Sequence, residues 1–548
     1  MRGIVVAVAV LLLARPAPPP AVGQSLLEDV VARAFDVAVT IAPVDLRIDV
    51  SGGLVRLLTI GTLRGRARIE LEITAPEPVT RVRMDLDGQL TVRSVQADGA
   101  QVKFERSGDL LTLTFAEALR PGARVPVTVE YDGQTYFIYN EFVLVHAFSL
   151  YPLLISPFGD YSANMARVTM QVTAPQGVTV ATTGRQISAD GGTLRWDSDI
   201  AVPWVAVAGG RRHRRVDRSV GNTRVQLYAI QGEDRNLDKL ATYTGQTVEY
   251  YSRLLYPFPY VELKVVSLLI VSGGIGYPAL MLIDDRAFAG TLPGGLNRDS
   301  SLFGLMAHEA AHSYVPGQMA IKGVGWIWLS EGFAEYLSLM ALEAVMGPQA
   351  YGRELQEERD QYAEIAGTRN DRPISAFARA NYGGAASRRV IYAKGSLVLH
   401  MLRFVLGEDA FRKTLATYFQ RFRGRSVRVD DFRDVAEEVS GQKLEWFFDQ
   451  WISQVVLPDY VVASATSART EDGQFRTTAT IRNTGTGAMP VEVAFGTGDG
   501  RVTRRVEVPS RGEAAVTVTT PAAIRQVEVD PSKWIIQSNY KNDTGEVR

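Results

Sequence analysis

The chain has 548 residues, 46% of them hydrophobic, which is enough apolar mass for several separate cores at the usual domain size of roughly 100–200 residues. A formal net charge of −1 gives no general attraction to nucleic acid or to an anionic membrane surface. The absence of cysteine excludes disulfides, thiolate metal ligands and thiol nucleophiles together, so any metal must be held by His, Asp or Glu.

The first residues place Arg2 ahead of an apolar run from Ile4 to Ala14, followed by prolines and small residues up to Gly23. This is the plan of a secretory signal over 1–23; its apolar run is too short for a helix that spans a bilayer, which takes about 20 residues. The segment predicts an exported protein, in the periplasm, at the cell surface or in the medium, with the signal either cleaved or retained as an anchor.

From 24 to 218 short alternating stretches such as "ARIELEIT", "RVRMDLDG" and "VTVEYDG" are broken by Gly, Asp and Pro, which predicts an N-terminal antiparallel β domain. Near its end Arg211, Arg212, Arg214 and Arg215 form a basic cluster without interleaved aromatics. A solvated turn at a domain edge is the expectation there, rather than a phosphate site.

From 219 to 455 the period becomes helical, with strands only at the start, so a mixed α/β domain is expected. Residues 265–283, "VVSLLIVSGGIGYPALMLI", carry no charge and are long enough to pose as a membrane span. Three glycines and a proline argue against a transmembrane helix. The run predicts a buried strand, a glycine break and a second extended piece from Tyr277, with Asp284 and Asp285 as its solvated end. Residues 456–548 return to alternation, as in "FRTTATIRN" and "AAVTVTT", and predict a small Ig-like β-sandwich. The fold class is therefore multidomain α+β.

"LMAHEAAHSY" sets His308 and His312 four residues apart with Glu309 beside the first. On a helix these positions share a face, so both imidazoles can reach one cation while Glu309 flanks the open coordination position. A catalytic zinc needs a third protein ligand and an exchangeable site. Glu331, in "WLSEGFAEY", follows His312 with eighteen residues between and is expected near the start of a neighbouring helix. Glu335, one turn further on the same face, is expected to be an ordinary exposed carboxylate, with support of a metal ligand as the alternative.

These motifs resemble the aminopeptidase N family of gluzincin metallopeptidases. The resemblance implies a thermolysin-like catalytic domain over 219–455, one Zn2+ per chain on His308, His312 and Glu331, and a peptide substrate. It implies that Glu309 serves as general base and then general acid. "VIYAKGSLVLHML" is similar to the family's Tyr-x-Lys-Gly segment, which makes Tyr392 the counterpart of the tyrosine that stabilises the transition state. His400, among apolar neighbours, is expected to be a satisfied core histidine. The family's Gly-x-Met-Glu-Asn segment, which binds substrate, is matched by Gly273, Gly274, Ile275, Gly276 and Tyr277, with Gly276 where the amine-binding glutamate belongs. The implied enzyme is aminopeptidase-like with altered specificity. An endopeptidase-like enzyme and a catalytically weak binding protein are the alternatives, and Glu141 is a candidate substitute anchor.

Overall fold

The computed structural model describes residues 30–41, 45–49, 56–138, 144–146, 151–154, 164–210, 213–268, 273–377, 384–497 and 500–548. The signal-like segment, Glu141, Arg211 and Arg212 lie outside the described residues.

The N-terminal part is built on a nine-stranded sheet whose central strand, Arg56–Ile73, pairs with Val30–Ile41 on one side and Arg124–Ile138 on the other. Along the central strand Leu63, Ala67, Ile69 and Leu71 are buried while Arg64, Arg66 and Arg68 are exposed. That alternation is what one buried face demands of a pleated strand. Its sheet is not wholly antiparallel as expected, because Val30–Ile41 runs parallel to Arg167–Thr173.

The central region opens on a five-stranded sheet in the order His213–Val220, Thr223–Ile230, Glu262–Leu268, Leu280–Asp284, Gly274–Tyr277. The basic cluster is thus partly a strand rather than a turn. Arg214 pairs with Asp234 at 2.9 Å and Arg215 with Asp217 at 2.6 Å, so local carboxylates neutralise these two. Strand Glu262–Leu268 is buried along its whole length, as its continuous apolar character requires. The glycines do not separate two strands, contrary to expectation. Gly274 and Gly276 lie in the edge strand Gly274–Tyr277, with Gly273 just before it, and the chain reverses at Pro278 and Ala279, where Ala279 has φ 53°. Among the described residues no helix is long and apolar enough to cross a membrane.

Two contacts from the N-terminal part brace that sheet. Thr183 Oγ1 donates to the Pro278 carbonyl at 2.6 Å, directly at the reversal. Lys264 donates to the Gly184 carbonyl and pairs with Glu262 at 2.9 Å; burial pushes its ammonium down to about 8 despite the Glu262 charge.

Helices Asp299–Ala311 and Phe333–Met346 pack on one another, and the first also packs on the edge strand Gly274–Tyr277. The C-terminal residues form two facing sheets, one of three strands and one of four. Trp534 from this part stacks on the His400 ring at 4.4 Å and 20°. His400 is a core histidine, as expected, but only half satisfied: it is buried, its Nδ1 lies 2.8 Å from the Tyr351 hydroxyl, its Nε2 has no hydrogen-bond partner among the described residues, and burial holds its imidazole well below the ordinary range.

Candidate metal centre

Helix Asp299–Ala311 delivers His308 and Glu309 in its last turn and ends on His312. Asp299 in the first turn complements the positive end of the helix dipole. His312 Nδ1 lies 3.0 Å from the Val315 carbonyl, so Nδ1 carries the proton and Nε2 keeps its lone pair. Glu331 comes from a π-helical turn, Trp328–Gly332, that runs into helix Phe333–Met346. Its Oε2 lies 3.4 Å from His308 Nε2 and 3.5 Å from His312 Nε2.

The donor atoms of His308, His312 and Glu331 all lie within 4.8 Å of one another. Zinc takes nitrogen and oxygen ligands at roughly 2.0–2.2 Å, so this donor set suits one such ion. The local charge agrees. Burial alone would raise the Glu331 carboxyl, yet the His312 and His308 imidazoles hold it well below the usual carboxylate range.

Residues 240–451 match the Peptidase family M1 domain. This stretch is an M1 domain. The chain is 26% identical over 279 residues to aminopeptidase N of Lactococcus lactis subsp. lactis, covering 47% of this chain and 31% of the relative. It is 20% identical over 409 residues to probable aminopeptidase 1 of Sulfurisphaera tokodaii, covering 70% of this chain and 51% of the relative. The chain thus spans about a third to a half of these relatives. A crystal structure of an M1 zinc metallopeptidase mutant from Deinococcus radiodurans superposes with a TM-score of 0.60 at 20% identity, over 78% of this chain and 96% of the other. That likeness shows the shared fold.

Within the M1 domain Glu335 is not the exposed carboxylate that its helix position suggests. Its Oε2 lies 2.9 Å from His308 Nδ1 with only 18% of its side chain exposed, so it fixes the imidazole's tautomer and orientation. The clue in the sequence was its spacing of four from Glu331, which puts both on one helix face. Glu335→Gln is expected to weaken zinc binding about 10- to 100-fold in a chelator competition; wild-type affinity would make Glu335 a bystander.

Glu309 is buried, and that burial raises its carboxyl despite the nearby imidazoles. Tyr392 lies on a second π-helical turn, Arg388–Lys394, and its ring stacks over His308 at 5.8 Å and 14°.

The edge strand of the M1 domain runs hard against the metal-binding helix. A Cβ on Gly274 would come within 2.6 Å of Glu309 Cγ, and one on Gly276 within 2.5 Å of the Glu309 carbonyl oxygen and 2.6 Å of His312 Cβ. Both glycines therefore serve close approach, whereas Gly273, at φ 134° with open space around it, serves backbone conformation. Ile275 is half-buried, and the Tyr277 side chain is 1% exposed, which leaves mainly its backbone to meet a substrate. Asp284 is fully buried rather than solvated. It caps the short helix Asp285–Ala289 through the Arg286 amide at 2.9 Å and pairs with the Arg286 guanidinium at 2.6 Å. Asp285, half-buried against it, is pushed up to about 6 by burial and by Asp284.

Proposed function

We propose that the chain is an exported zinc metallopeptidase that hydrolyses peptide bonds, aminopeptidase-like in ancestry and altered in specificity. The observation that carries this reading is the convergence of His308, His312 and Glu331 beside the buried Glu309. His308, His312 and Glu331 would hold a zinc ion, which would supply Lewis-acid activation of water and of a substrate carbonyl. Glu309 takes the proton from the attacking water and later returns it to the leaving amine. The Tyr392 hydroxyl donates to the oxyanion where charge develops. Glu335 keeps the His308 ring aligned throughout, and the edge strand offers backbone N–H and C=O groups to an extended peptide. Export rests on the reading of residues 1–23 as a signal.

Specificity follows from Gly276, which has no charge to hold a free ammonium group. Matched peptides with free and acetylated amino termini, assayed alongside metal content on one sample, test the reading. A preference for the free terminus supports aminopeptidase action through another anchor, and equal rates support an endopeptidase-like enzyme. Bound zinc with no hydrolysis of either peptide would sink the peptidase assignment. Tyr392→Phe removes one oxyanion donor and is expected to lower kcat about 10²-fold; an unchanged rate would return Tyr392 to the role of packing.

A further inference from the structure

Glu331 and Tyr392 lie on the two π-helical turns Trp328–Gly332 and Arg388–Lys394. Such turns interrupt the regular helical ladder and recur at functional sites. What the two turns share is the indole of Trp328. It is fully buried, and its Nε1 donates to the Gly395 carbonyl at 3.0 Å, just past the turn that bears Tyr392.

Two glycines make this junction possible. A Cβ on Gly332, the residue after Glu331, would collide with the indole at Cδ1. A Cβ on Gly395 would come within 2.9 Å of that same atom and 3.4 Å of the Gly332 Cα. Both glycines have ordinary helical φ, −63° and −59°, so neither is required by backbone conformation. Glycine is a poor helix former, and the space the indole occupies is what accounts for it at both positions. The far side of the indole is held by Phe333, with ring centroids 5.2 Å apart, and by Phe432 at 6.3 Å and Phe448 at 6.4 Å.

We propose that Trp328 is a positioning residue that sets the distance between the third metal ligand and the oxyanion donor, so that one buried ring aligns Glu331 and Tyr392 together. The Tyr392 half rests on the proposed peptidase function; the Glu331 half concerns metal binding alone.

Trp328→Phe keeps an aromatic ring in the cluster and removes the N–H, leaving the Gly395 carbonyl without its partner. The expected result is a zinc affinity weakened about 10-fold in chelator competition, the low end of the usual effect of groups that support metal ligands. At saturating zinc, kcat should fall about 10-fold with KM within about twofold, because the loss is confined to the transition state. In a Tyr392→Phe background the same substitution should cost clearly less kcat than in wild type, since part of its effect passes through that hydroxyl.

Wild-type zinc affinity and kcat in folded Trp328→Phe would overturn the proposal, and so would a full, multiplicative kcat loss in the double variant. If Trp328→Phe shows no cooperative thermal transition, Gly395→Ala is the deciding variant: it wedges one methyl against the indole, and wild-type values there would also overturn the idea. A wild-type protein that binds zinc but cleaves no peptide would defeat the peptidase function, and the zinc affinity of Trp328→Phe would still decide the Glu331 half.

Discussion

Glu309→Gln is expected to keep a full complement of zinc and to lose about 10²- to 10⁴-fold in kcat, the range that a positioned general base contributes. The amide has nearly the volume of the carboxyl, so the contact with Gly274 survives and the helix is not disturbed. What disappears is the ability to take a proton. Zinc measured by atomic absorption and kcat measured on a single peptide separate the two effects. His312→Ala is the contrasting variant, in which the metal itself should be lost. Full turnover in Glu309→Gln would remove Glu309 from the reaction, and loss of zinc would make it a ligand instead.

Gly276→Ala is the smallest change expected to damage the whole site. Its methyl would lie 2.5 Å from the Glu309 carbonyl oxygen and 2.7 Å from His312 Cδ2, in a place where backbone and ligand ring leave no slack. Overpacking of this kind costs about 1–3 kcal/mol, and part of that strain falls on a metal ligand. A lower melting temperature and weaker zinc binding are both expected. Gly276→Glu should do the same or worse. The resemblance to the aminopeptidase N family suggests that restoring the glutamate would restore an anchor for the substrate amine; in this chain it would act as a wedge. A Gly276→Ala protein with wild-type melting temperature and zinc affinity would refute the tight packing of strand on helix.

The metal ligands were legible in the sequence because their geometry is local: two histidines four apart share a helix face whatever surrounds the helix. Glu331 followed from the chemistry of a third ligand together with the family spacing. The strand alternation of Arg56–Ile73 and the buried run Glu262–Leu268 were equally readable, since one-sided and two-sided burial leave different periodicities. Other features depended on partners remote in the chain. Glu335 looked like a surface carboxylate until His308 was placed against it. Asp284 looked solvated because sequence does not display the helix cap and the Arg286 pairing that permit its burial. Gly274 and Gly276 read as a break between strands, although glycine also allows a strand to press against a helix, and only the third dimension separates these uses.

The hydroxyl of Thr183 on the Pro278 carbonyl bears on how this chain divides. The match to the M1 domain begins at residue 240, whereas the sheet that carries the edge strand begins with His213–Val220, and the reversal of that strand is pinned from residue 183. The matched stretch is therefore smaller than the structural unit that holds the site. A fragment trimmed to the matched stretch would start after two of the sheet's five strands and without the brace at Pro278, so it would keep the ligands and the edge strand that faces them but lose what holds that strand in place.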